Sequence, residues 1–112
     1  MVQLAGTEKE ILDSYCRSLR ENFPEDVAEI ILFGSRARGK GRSDSDIDLL
    51  IVLNTQDPRV KREVLDLAWE AMSRHNFKAF LSPIVFFKRD YNQYRQWNSS
   101  FLENVSQDAV RL

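Results

Sequence analysis

Asp46 and Asp48 are the side chains of this sequence best placed to do chemistry. They flank Ile47 at the head of an apolar run, "DIDLLIVL". Side chains alternate faces along a strand, so the two carboxylates point the same way, roughly 6.6–7 Å apart. That separation suits flanking two metal ions about 3.5–4 Å apart, as in two-metal phosphoryl-transfer sites. Without a cation the like charges repel, and one carboxyl holds its proton more tightly. The competing reading is a solvated acidic turn. The apolar strand that follows and the Gly-Ser turn that precedes favour a ligand pair. Asp44 could extend the row, but it sits further into the loop.

The segment before the acids, "FGSRARGKGRSD", carries four cations, Arg36, Arg38, Lys40 and Arg42. Gly34 has no Cβ, so backbone can approach a bound group closely and a positive φ is open. Ser35 offers a hydroxyl and an N–H to phosphate oxygens. If "SRAR" opens a short helix, its free N–H groups face the same anion. Arg36 and Arg38 could add bidentate phosphate contacts. The competing reading is a plain turn with solvated arginines.

Two familiar motifs fail here. "GSRARGKG" matches G-x-x-x-x-G-K but has Gly41 where a P-loop needs Ser or Thr for Mg²⁺, and no helical pattern follows. "DSDID" resembles the start of a calcium loop, but its sixth position is Leu49 and its twelfth is Thr55, where Gly and Glu belong.

The elements that must hold these residues follow from periodicity. Thr7 with Glu10 forms a capping box ahead of a helix over 8–22, whose stripe is Ile11, Leu12, Tyr15, Cys16 and Leu19. "AEIILF" (28–33) is a buried strand ended by Gly34, and "IDLLIVL" (47–53) is a strand covered on both faces. Residues 60–75 read as a helix with Val64, Leu65, Ala68, Trp69 and Met72 on one stripe. "AFLSPIVFF" (79–87) is a third strand, at an edge or bent because of Pro83. Two short helices follow over 89–97 and 100–107, the second opened by a Ser100–Glu103 capping box. The order α-β-β-α-β-α-α describes a small α/β or α+β sheet with helices packed on it.

The chain has 112 residues, the size of one ordinary domain, and 43% are hydrophobic, enough for a core. Lys plus Arg number 16 against 17 Asp plus Glu. That balance supplies no general basic field, so direct nucleic-acid binding is not expected. A lone cysteine, Cys16, permits no internal disulfide and reads as a small buried hydrophobe. No apolar run reaches membrane-spanning length and no signal peptide is evident, so a cytoplasmic setting is expected. His75, the one histidine, has no partners for catalysis and reads as structural. Tyr91, Tyr94, Trp97 and Phe101 form a stripe read first as packing against the sheet, with a partner surface as the alternative.

Gly34-Ser35, then Ser45-Asp46-Ile47-Asp48-Leu49, with "RARG" between and apolar strands on either side, resembles the minimal nucleotidyltransferases. That family belongs to the DNA polymerase β-like nucleotidyltransferase superfamily. The resemblance spans nearly the whole of 1–112 and implies a single domain with a small mixed sheet of about three to four strands. It implies that Gly34 and Ser35, helped by Arg36 and Arg38, hold a nucleoside triphosphate, ATP being the first candidate. It implies that Asp46 and Asp48 bind Mg²⁺ as the catalytic pair, and that a nucleoside monophosphate moves to an acceptor hydroxyl. Stand-alone members resemble antitoxins paired with helical HEPN-type ribonucleases, so a partner protein is the expected acceptor. A homo-oligomer stays open. The sequence departs from the full pattern at one place. Active members carry a third carboxylate on a later strand, and "AFLSPIVFF" has none; Ser82 or Ile84 occupies that level. The alternative is therefore an antitoxin that binds nucleotide but acts by binding its ribonuclease.

Overall fold

The computed structural model describes residues 4, 6–34, 46–97 and 100–112. Eight elements follow in order: α1 (Gly6–Asn22), β1 (Val27–Phe33), β2 (Ile47–Leu53), α2 (Pro58–Arg74), β3 (Leu81–Phe87), α3 (Lys88–Gln96), α4 (Ser100–Asp108) and β4 (Val110–Arg111). The strands form one sheet in the order β3-β2-β1-β4. β1 pairs antiparallel with β2 and with β4, while β2 and β3 are parallel, so the sheet is mixed. A parallel pair needs a crossover, and α2 supplies it.

The central strand β2 is buried at every position except Asp48. Its odd-numbered residues, Ile47, Leu49, Ile51 and Leu53, face one layer with Ile11, Tyr15 and Leu19 of α1 and Val64, Ala68 and Met72 of α2. Each fully buried aliphatic side chain contributes about 2 kcal/mol. The even-numbered side holds Leu50 with Ile31, Leu102 and Val105, and Phe33, Phe86 and Tyr91 pack around them. Tyr15 ties the larger layer together by donating its hydroxyl to the Val64 carbonyl at 2.8 Å, and burial pushes its pKa up. Cys16 is half-buried, not fully buried, and burial raises its thiol to about 11.

Helix ends show their local causes. Asp57 caps α2 by accepting from Arg59 N–H at 2.9 Å, and Pro58 fills the first turn, where a missing N–H costs nothing. At the other end Asn76 N–H donates to Ser73 O (3.1 Å) and Phe77 N–H to Met72 O (2.9 Å). That pair of bonds is a Schellman closure, and Asn76 takes the left-handed φ of 56° it requires. Phe77 also sits at φ 54°, which costs a bulky residue about 1–2 kcal/mol. His75 is structural, with Nδ1 2.9 Å from the Ala71 carbonyl.

The expected elements appear within two residues of their sequence-derived bounds, and four details differ. α1 begins at Gly6, so Thr7 lies inside the helix and is not its cap. On α2 the buried stripe is Val64, Ala68, Ala71 and Met72; Leu65 and Trp69 face outward, Trp69 at 62% exposure. Those two lie one helical step off the face that meets the sheet. The aromatic stripe is core only in part: Tyr91 packs against the smaller layer, whereas Tyr94, Trp97 and Phe101 are exposed. No residue of α3 is buried, and Trp97 is 66% exposed at the end of a ladder Phe86–Tyr94–Trp97 with centroids 5.4 and 5.9 Å apart. Strand β4 was not anticipated, because two residues carry no period. Leu112 N–H donates to the Ile30 carbonyl, and Arg111 pairs with Glu29 at 3.1 Å, which holds it.

Pro83 behaves as its chemistry requires. β3 is an edge strand, and Ile47 N–H donates to the Phe80 carbonyl at 2.9 Å. In that parallel pattern the even-numbered residues of β3 bond β2, and Pro83 turns its donor-free nitrogen outward.

Candidate functional site

The end of β1, the start of β2 and the start of β3 meet at one end of the sheet. Phe33 lies across from Asp48 on one side, and Ser82 lies across from Asp48 on the other. Ile47 is fully buried in the larger layer, so Asp46 and Asp48 lie on the opposite side of the sheet. Asp46 is exposed and Asp48 is half-buried.

Gly34 and Asp48 touch directly. Gly34 adopts φ +79°, and a Cβ there would lie 2.5 Å from Asp48 Oδ2. The carboxylate therefore leans over the bare α-carbon of Gly34, and this contact exists only because the side chain is absent. Burial raises the pKa of Asp48 first, and the Asp46 charge raises it further. Both causes disfavour two bare anions and favour a cation between them.

The donor set fits a hard divalent metal. Two carboxylates offer oxygen ligands of the kind Mg²⁺ accepts, and a triphosphate would supply others. Among the described residues no group of three or more His, Cys, Asp or Glu could hold a metal ion. The register separates the two residues that the sequence left open: Ser82 lies opposite Asp48, and Ile84 lies opposite Leu50, two residues further along. Asp90 is in the first turn of α3, beyond the far end of β3 and roughly 16 Å or more along the strand from Ser82. Ser35, Arg36 and Arg38, assigned from sequence to the phosphates, lie outside the described residues, as does Asp44. One neighbour escaped the sequence reading. Phe80, immediately before β3, stands across from Asp46 by continuation of the ladder and is 53% exposed. Its signal was phase, since it alternates with the buried Ala79 and Leu81.

Comparison with known proteins bears on the family and the fold. Residues 12–111 match the model of the nucleotidyltransferase domain family. Three proteins of Methanocaldococcus jannaschii are similar. "Putative protein adenylyltransferase MJ1305" is 36% identical over 83 residues, covering 71% of this chain and 55% of that one. The chain thus spans about half the length of that relative. "Putative protein adenylyltransferase MJ0604" and "Putative protein adenylyltransferase MJ0141" are each 29% identical, covering 91% and 92% of this chain and 94% and 96% of theirs. A crystal structure of a "putative nucleotidyltransferase" from Sulfolobus solfataricus superposes with TM-score 0.52 at 20% identity, over 99% of this chain and 89% of that one. That likeness supports the fold. Among the described residues no helix is long and apolar enough to cross a membrane. With Gly34, Asp46 and Asp48 gathered at one end of a mixed sheet inside the matched span, the chain belongs to the nucleotidyltransferase domain family.

Proposed function

We propose that this chain is a Mg²⁺-dependent nucleotidyltransferase that moves a nucleoside monophosphate, from ATP first of all, to a hydroxyl on a partner protein. The observation that carries the reading is the junction of Gly34 with Asp48, where the acid pair meets the loop assigned to the phosphates. A protein acceptor is supported by the names of the three M. jannaschii relatives. The partner proposed is a helical HEPN-type ribonuclease in a toxin–antitoxin pair, working in the cytoplasm.

The chain's own residues would act mainly by positioning and by charge. Asp46 and Asp48 would hold Mg²⁺, which would supply neutralisation of charge on the phosphates. Gly34 would let backbone close on the triphosphate, and Ser35, Arg36 and Arg38 would bind its oxygens. The buried neighbours of Asp48 in β2 hold its backbone in place.

A second reading has its own observation. Ser82 opposes Asp48 where active members of the family place an acid, and an aliphatic hydroxyl needs a metal or base to attack. The chain would then bind nucleotide and neutralise its ribonuclease by contact. One experiment separates the two. The protein is incubated with α-labelled ATP, Mg²⁺ and a cell extract. Label on a protein, lost in Asp46→Asn and Asp48→Asn, supports transfer. Calorimetric ATP binding without label supports the antitoxin that only binds. No ATP binding at millimolar concentration refutes both.

A further inference from the structure

α2 and β3 lie side by side and run in opposite directions. At one end Lys61 Nζ stands 5.7 Å from the centroid of the Phe87 ring, and at the other Leu81 N–H donates to Met72 Sδ at 3.3 Å. β3 is an edge strand, and its odd-numbered N–H groups point away from β2. Of these, the Leu81 donor is taken by Met72 and Pro83 has none, so the first half of the edge cannot donate to another strand. Whatever meets this edge must do so through side chains. One flank of α2 overhangs it. At about 3.6 residues per turn, Leu65 and Trp69 lie just outside Lys61 and Met72, two residues that touch β3. Leu65 is 39% and Trp69 62% exposed. Phe77 continues from Trp69 with ring centroids 5.0 Å apart, and Phe80 from Phe77 at 6.4 Å. At the opposite end of the flank Lys61, Phe86, Phe87, Tyr94 and Trp97 line one pocket.

The flank is its own complement. Leu65 lies midway between Lys61 and Trp69 along the helix. A twofold axis through Leu65, with two such helices antiparallel, therefore brings Trp69 of one copy over Lys61 of the other, and the converse. Lys61 is a wall of the pocket, so each indole meets the pocket of the other copy. The area is of the right order. A fully covered aromatic side chain removes about 150–250 Å² from water. Trp69, Phe77, Phe80, Tyr94 and Trp97 are between 36% and 66% exposed. These five rings alone offer on the order of 500 Å² per copy, against about 800 Å² per partner in a stable interface, and Leu65 with its polar neighbours adds to it. We infer that two copies of this chain pair about a twofold axis beside the β3 edge, with Leu65 at the axis and Trp69 of each copy in the pocket of the other. Lys61 then holds its cation against the indole face. A tryptophan seated in a pocket is the kind of anchor that carries an interface. Asp46 and Asp48 lie on the other side of the sheet from α2, so the pairing leaves both acid pairs uncovered.

Sedimentation velocity on the full chain tests this across the micromolar range, where standard-size interfaces are populated. The wild type should sediment at twice the 13.1 kDa mass of one chain. Trp69→Glu and Leu65→Glu should each raise the dimer dissociation constant at least about 30-fold, the loss of one buried anchor. Both side chains are exposed in the single copy, so the helical circular dichroism should stay. The milder Trp69→Ala and Trp97→Ala should weaken pairing in the same direction and keep the comparison usable if a glutamate variant does not fold. Leu112→Ser, an exposed apolar residue beside the opposite edge, should leave the mass unchanged. Leu65→Cys in a Cys16→Ser background should join copy to copy with a short bismaleimide, and Glu70→Cys, on the far side of α2, should not. A chain that stays monomeric throughout overturns the inference and returns this flank to a partner of another sequence. A dimer that keeps its affinity in Trp69→Glu and Leu65→Glu overturns it, as does one joined through Glu70→Cys and not through Leu65→Cys. Loss of the dimer in Leu112→Ser overturns it by moving the interface to the other edge.

Discussion

Alanine at position 34 is expected to damage the site through one atom. Two costs are separable. The left-handed φ of +79° is unfavourable for any L-residue, by about 1–2 kcal/mol. The added Cβ would also stand 2.5 Å from Asp48 Oδ2, and real Cβ atoms essentially never come under 3.0 Å. The carboxylate must therefore retreat by at least about 0.5 Å, which takes Asp48 off its rotamer at about 0.5–1.5 kcal/mol. In Asp48→Ala the oxygen is gone, and only the backbone cost of Gly34→Ala remains. Denaturant unfolding of the wild type, both single variants and the double variant closes the cycle. The expected coupling is about 0.5–1.5 kcal/mol. Transfer should fall on the order of 10–100-fold in Gly34→Ala, because a carboxylate displaced by a fraction of an ångström no longer holds its ligand in line. Additivity within about 0.3 kcal/mol, or full activity in Gly34→Ala, would refute the claim that this contact sets the acid in place.

Asp46→Asn and Asp48→Asn should each cost about 100-fold or more in transfer rate, measured with α-labelled ATP. The apo protein should respond in the opposite sense. Since the folded state raises the Asp48 pKa, its stabilising contribution is full below the ordinary carboxylate range and is lost as pH rises through the folded value. Asp48→Asn should therefore raise the apo melting temperature at neutral pH, and that difference should vanish in acid; a lower melting temperature at pH 7 would contradict the repulsion. Ser82→Asp adds a carboxylate opposite Asp48 and should tighten Mg²⁺ binding by calorimetry in the presence of nucleotide; unchanged affinity would show that this position does not face the metal. Tyr15→Phe removes the buried bond to Val64 and should cost about 0.5–1.5 kcal/mol in unfolding, with nucleotide affinity unchanged.

The placement of Asp46, Asp48 and Gly34 was legible in the sequence because its signals are local. The period-2 geometry of a strand places Asp46 and Asp48 on one side whatever the rest of the chain does, and a Gly after an apolar run marks a turn. The strands over 28–33 and 47–53 and the helix over 60–75 were legible for the same reason: each writes its own period. What depended on pairing was not legible. Nothing local says whether Ser82 or Ile84 faces Asp48, because register is set by hydrogen bonds between strands far apart in sequence, and a shift of two residues would exchange them. Nor could the helical spacing of Leu65, Trp69, Tyr94 and Trp97 tell a buried face from an exposed one. The sheet buries Val64, Ala68 and Ala71 of α2, leaves α3 with no buried residue, and so leaves those four side chains in solvent. By itself the sequence determined two acids on one side of a strand and a glycine before them. The tertiary structure decided that Asp48 rests on that glycine and that a serine stands opposite it, because those contacts are made between strands brought together only by the folded sheet.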